Sequence, residues 1–116
     1  MSRSTMEANA RAFFTAMNTQ DPDAATSLAR TDVEIAFGPN RFTGHAALRD
    51  LATQRHAELT FETSPLSFEP DGDSALSVEA ERVQRWRSNG EVAAVEEVRA
   101  RFTFDSDGSI ARIQLS

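Results

Sequence analysis

Arg82 and Gln84 stand two residues apart in the run EAERVQRW, and Glu96 and Glu97 lie in the next apolar run, VAAVEEVRARF. On a strand, that spacing puts Arg82 and Gln84 on one face. A guanidinium beside an amide can anchor a carbonyl, carboxylate or hydroxyl on an otherwise apolar molecule, and the guanidinium can steady negative charge as it develops. A buried arginine needs a partner, so Glu96 or Glu97 offers the competing possibility of an internal ion pair. His56 is the better placed of the two histidines for acid or base work near neutral pH. It closes a predicted helix, where its ring also suits the negative end of the helix dipole. His45 follows Gly44 at a helix start and reads as local turn structure. Two separated histidines and scattered acids lack the ligand spacing of a zinc site. With no cysteine in the chain, there is no thiolate nucleophile and no disulfide. No glycine-rich phosphate loop appears, so neither a metal nor a cofactor is expected.

The elements that must position these groups fall into two halves. Residues 5–18 carry Met6, Ala10, Phe13, Phe14 and Met17 at helical spacing. Asp21-Pro22 reads as an N-cap and first-turn proline, opening a short helix through Arg30. Val33, Ile35 and Phe37 alternate as a strand that stops at Gly38-Pro39-Asn40, and Phe42 lies in a short extended piece. A third helix runs from about His45 to His56. The second half reads as strands: Leu59 to Phe68 with a change of phase at Pro65, then 74–87, 92–105 and 109–115. Proline fits only edges and bulges of a sheet.

Asn89-Gly90 and Asp107-Gly108 mark two hairpins. A two-residue loop at Asn89-Gly90 would pair Trp86 with Ala93 and Gln84 with Val95. Apolar residues change parity between Val95 and Val98, which predicts a bulge at Glu96-Glu97. Below it Ala80 would face Ala100, Val78 Phe102, and Leu76 Phe104, with Glu81 opposite Arg99 and Glu79 opposite Arg101. A long bent antiparallel sheet with an apolar inner face is expected to curl around the three preceding helices. The fold class is α+β, and residues 1–116 form a single domain.

Eighteen acids against twelve bases set a net charge of −6. That balance argues against nucleic acid, whose binders carry a basic patch. No apolar run reaches the length of a membrane span, and the N-terminal residues lack the pattern of a secretory signal. A cytoplasmic protein is expected.

The run AFFTAMNTQDPDAATSLARTDVEIAF, the helix start GHAAL, the strand ERVQRW before a turn glycine and the ending RFTFDSDGSIARI, in that order, resemble the nuclear transport factor two-like superfamily. The resemblance is to its SnoaL-like and ketosteroid isomerase-like branch and covers nearly the whole chain. It implies a cone-shaped, strongly curled sheet packed on three helices, a pocket between them, and often a homodimer. In ketosteroid isomerases a tyrosine and two aspartates do the chemistry; aligned here, those positions fall at Phe13, Phe37 and Ala100. A phenylalanine can neither take a proton nor donate a hydrogen bond to an oxyanion, so that activity is not expected. Limonene epoxide hydrolase-like members use an Arg-x-Asp pair with a further aspartate; the nearest match is Arg82-Val83-Gln84, in which the acid has become an amide. SnoaL-like cyclases place an acid or base in the cavity, a role open here to His56.

These readings predict a small-ligand-binding domain with an apolar pocket. Its expected lining is Phe13, Met17, Phe37, Arg82, Gln84, Trp86, Ala100 and Phe102, and its expected ligand a small apolar molecule. One alternative is a cyclase, isomerase or hydrolase using His56 or a glutamate as base and Arg82 as electrophilic stabiliser. Another is a homodimeric interaction module built on the outer face, where Glu79, Glu81, Val83, Arg85, Arg99 and Arg101 are expected.

Overall fold

The computed structural model describes residues 2–116. Helix α1 (Arg3–Asn18) starts at Ser2, whose hydroxyl accepts the Thr5 N–H at 3.2 Å. It buries Met6, Ala10, Phe13 and Phe14 along one stripe. Asp21 caps α2 (Pro22–Ser27) by accepting the Ala24 N–H at 3.1 Å, with Pro22 at the first helical position. Helix α2 stops earlier than predicted, because Ala29 and Arg30 already belong to strand β1 (Ala29–Phe37). Strand β2 (Asn40–Thr43) folds back on β1, and α3 (His45–Thr53) follows Gly44. Helix α3 also ends early: Gln54 turns to an extended ψ of 133°, so His56 lies beyond the helix.

The remaining strands are β3 (Leu59–Pro70), β4 (Ala75–Trp86), β5 (Val92–Phe104) and β6 (Ile110–Leu115). They form one six-stranded sheet in the order β2-β1-β6-β5-β4-β3. Only β1 and β6 run parallel; the other neighbours are antiparallel. The α+β class and three-helix layer stand as expected. The strongly curled cone does not. The sheet stays open, with β2 and β3 as its two edges. The phase change at Pro65 is a bulge at Leu66 on the edge strand β3, where proline is tolerated.

The β4–β5 hairpin departs from its predicted register. A type I′ turn needs positive φ at both central residues. Gly90 has φ +75°, but Asn89 is not among the residues of positive φ. The chain instead makes a four-residue loop, Arg87–Gly90. Trp86 N–H donates to the Glu91 carbonyl at 2.9 Å and Gly90 N–H to the Trp86 carbonyl at 2.8 Å. The single bulge sits at Ala93, not at Glu96-Glu97. Below it Ala80 faces Val98, Val78 faces Ala100 and Leu76 faces Phe102. The predicted pairings of Ala80, Val78 and Leu76 are each displaced by two residues, which preserves the face each side chain occupies. Gln84 faces Ala94 instead of Val95, a shift of one, so Val95 turns to the outer face opposite Val83.

The core lies between α1, α3 and the proximal half of the sheet. Phe13, Phe14 and Phe102 meet edge to face, at ring-centre distances of 5.4–5.9 Å, a preferred aromatic geometry. Leu48 of α3 and Val33, Ile35, Leu76, Val78, Ile110 and Ile113 from three strands complete it. Among the described residues, no helix is long and apolar enough to cross a membrane.

Candidate functional site

The inner face of β4 begins as core and ends as something else. Leu76, Val78 and Ala80 are buried, and the next two residues of the same parity are Arg82 and Gln84. The true register sets Glu96 directly across from Arg82. Arg82 donates through Nε at 3.1 Å, and through Nη2, to one carboxylate oxygen of Glu96. Gln84 Nε2 donates to the other oxygen at 2.5 Å. The Arg82 and Glu96 side chains remain 32% and 40% exposed. The Arg82 hydrogen bond, with the Arg82 charge and the Gln84 amide adding to it, holds the Glu96 carboxyl below the usual carboxylate range despite some desolvation.

Aromatic surface flanks this cluster. Phe61 of β3 pairs with Gln84 and is 42% exposed. The Arg82 guanidinium carbon lies 5.5 Å from its ring centre, within cation–π range. His56 stands edge-on to the same ring at 5.9 Å. Its Nδ1 accepts the backbone N–H groups of Glu58 and Leu59, each at 3.1 Å. That lone pair is committed to ordering the turn into β3, which leaves Nε2 to carry the proton of the neutral ring. His56 therefore shapes the wall of the site and has no free basic nitrogen there. His45 donates from Nε2 to the Ala29 carbonyl at 3.0 Å, a structural tie as its local context predicted.

The predicted lining is divided. Arg82 and Gln84 come together as expected. Phe13, Ala100 and Phe102 are 1%, 5% and 0% exposed and lie in the packed core, with Met17 against them. Phe37 sits at the end of β1, paired with Asn40 and Leu115, and is 46% exposed. Trp86, 41% exposed, ends β4 opposite Leu59. It borders an open depression of about 580 Å³ with Ala57, Glu58, Arg87 and Ser88. Another depression, of about 550 Å³, lies on the outer face among Ser77, Glu79, Arg99, Arg101 and Gln114. Neither is the expected chamber between helices and sheet. The polar cluster is an open shelf past the end of the core. Phe61 comes beside Arg82 through the β3–β4 pairing, which sets it opposite Gln84.

The shelf can hold a small molecule by stacking and hydrogen bonding. It lacks a proton donor: Gln84 is an amide, and Glu96 is ionised.

Comparison with known proteins places this geometry in a family. The model of the SnoaL-like domain matches residues 10–113. No curated protein sequence matches. A protein assigned as a polyketide cyclase from Xanthomonas campestris pv. campestris shares 19% identity at a TM-score of 0.82, over 97% of this chain and 90% of that one. TerC, co-crystallised with polyporic acid, shares 17% at a TM-score of 0.80, over 97% and 90%. An epoxide hydrolase of the limonene epoxide hydrolase-like type from M. tuberculosis shares 19% at a TM-score of 0.75, over 97% and 81%. At these identities the structures establish the shared fold alone. The family model spans the second half of α1, the other two helices, strands β1 to β5 and most of β6, and the chain belongs to the SnoaL-like domain family.

Proposed function

We propose that this protein binds a small, largely apolar organic molecule on the shelf formed by Phe61, Arg82, Gln84 and Glu96. The observation that carries the reading is the hydrogen-bonded trio of Arg82, Gln84 and Glu96 beside an exposed aromatic ring, on the helix-side face where the core ends. Small-molecule sites combine apolar surface with a few placed polar groups, and both are present here. Similar folds have been solved as an epoxide hydrolase-like enzyme and with polyporic acid, which supports a small organic ligand.

Binding without turnover fits the groups better than catalysis. The positions aligned with the ketosteroid isomerase groups hold Phe13, Phe37 and Ala100, none of which can move a proton. Glu96, with its proton affinity lowered by Arg82, is a good acceptor and a weak base. A hydrolase or cyclase reading rests on the Arg82-Val83-Gln84 match with Glu96 as the further acid. It would need a proton donor at Gln84, which an amide does not supply.

A thermal-shift screen of small ring compounds carrying one polar oxygen group tests the reading. Ligands should raise Tm of the native chain. A ligand at about 100 times its Kd stabilises by roughly 2.7 kcal/mol. Phe61→Ala and Arg82→Met should each weaken binding about tenfold, the loss of one good contact. Hits unaffected by both substitutions would bind elsewhere, and the proposal would fall.

A further inference from the structure

We infer that the shelf selects uncharged ligands, taking a hydroxyl compound and refusing the carboxylate of the same skeleton. This rests on the binding reading above and adds the chemical class. An arginine beside apolar surface is ordinarily an anchor for carboxylate or phosphate, whose oxygens match its fork of donors. Here that fork is already engaged. Arg82 Nε and Nη2 both donate to Glu96, and Gln84 donates to the second Glu96 oxygen. One positive and one negative charge cancel within the cluster.

What remains for a ligand is a neutral donor and acceptor set. Arg82 keeps the hydrogens on Nη1. Gln84 keeps its side-chain carbonyl and a second amide hydrogen. A hydroxyl can donate to the Gln84 carbonyl and accept from Arg82 at once. A carboxylate has no proton for the Gln84 carbonyl, and it would also approach the ionised Glu96. Across the strands the neighbours on this face are Thr63 opposite Arg82, Phe61 opposite Gln84 and Ala94 on β5, and none supplies a further positive charge. His56 turns its ring edge to Phe61, with Nδ1 held by backbone N–H groups.

The test uses matched pairs: benzyl alcohol against benzoate, and cyclohexylmethanol against cyclohexanecarboxylate. Binding is read near neutral pH from the proton–nitrogen NMR signals of the Arg82 Nε–H and the Gln84 side-chain amide. In the native chain the alcohols should bind about tenfold more tightly than their carboxylates, the scale of one unmatched polar contact. Glu96→Gln, nearly identical in shape, leaves the arginine charge uncompensated and should reverse the order. Carboxylates that equal or exceed the alcohols in the native chain would overturn the inference and leave the binding site standing. If no probe of either kind moves these signals, the site itself fails, and the inference with it. Should Glu96→Gln not fold, the native comparison decides alone.

Discussion

A single carboxylate carries most of the electrostatics of the shelf. Glu96 is held ionised by Arg82 and Gln84 in the folded chain, so its folded pKa lies below its usual value of 4.5. A carboxyl lowered by folding contributes stability above its unfolded pKa and loses it as pH falls through the folded one. Asp107 behaves likewise at the β5–β6 turn. A hydrogen bond with Asp105, and then the Ser109 N–H at 2.8 Å, lower it from 3.8 to about 2. Tm should therefore hold from neutral pH to about pH 5 and fall between there and pH 2. In Arg82→Ala the Glu96 carboxyl should titrate at higher pH than in the native chain, as followed by carboxyl NMR. A Glu96 titration unmoved by that substitution would show that the ion pair does not govern it.

The β4–β5 hairpin shows how one element carries both the site and a flaw. Its register joins Arg82 to Glu96 on the inner face. The same register sets Glu81 directly opposite Glu97 on the outer face. Like charges across a ladder are destabilising, and opposite ones help by roughly 0.2–1 kcal/mol. Nearby, Glu79 and Arg99 face each other and meet at 3.3 Å, as that rule favours. Glu97→Arg should raise the unfolding free energy obtained from urea titration by an amount on this scale, and with it the urea midpoint, and Glu81→Arg should do the same. The double substitution should gain little over the native chain, since it restores like charges. If both singles left the midpoint unchanged, Glu81 and Glu97 would not face each other in solution.

The molecule as a whole is longer than it is wide, 44 × 28 × 26 Å. The helices cover the sheet only over its proximal part. Residues 75–80 of β4 and 100–104 of β5 lie largely in the core, whereas Trp86, Val92 and Val95 of the distal hairpin are exposed. Strand β6 pairs with β5 only from Ala100 onward, apart from the Arg99–Ser116 backbone bonds. The distal half of β5 therefore has a single neighbour. Amide protection follows buried contacts and pairing. Hydrogen exchange should be slowest at Val78, Ala80 and Phe102, and faster by orders of magnitude at Ala94 and Val95. Uniform protection along both strands would mean that something covers the distal half in solution.

The sequence by itself determined most of the elements, and the faces of β4 and of the proximal half of β5. Helical spacing of Met6, Ala10, Phe13 and Phe14, alternation in β4, and the proline at the β3 bulge were each legible, because period and parity are local properties of the chain. Arg82 and Gln84 were legible as a pair for the same reason. Their partner was not. Which residue met Arg82 depended on how many residues the hairpin loop used and on where β5 bulged: the four-residue loop alone would set Val95 opposite Arg82, and the bulge at Ala93 moves Glu96 there. Asn-Gly alone specifies neither. The openness of the sheet, the exposure of Phe61 and the release of His56 from α3 were likewise decided in the tertiary structure. Each depends on which strands lie side by side and how far the helices reach over them. Those are contacts between residues distant in sequence, which no local pattern records.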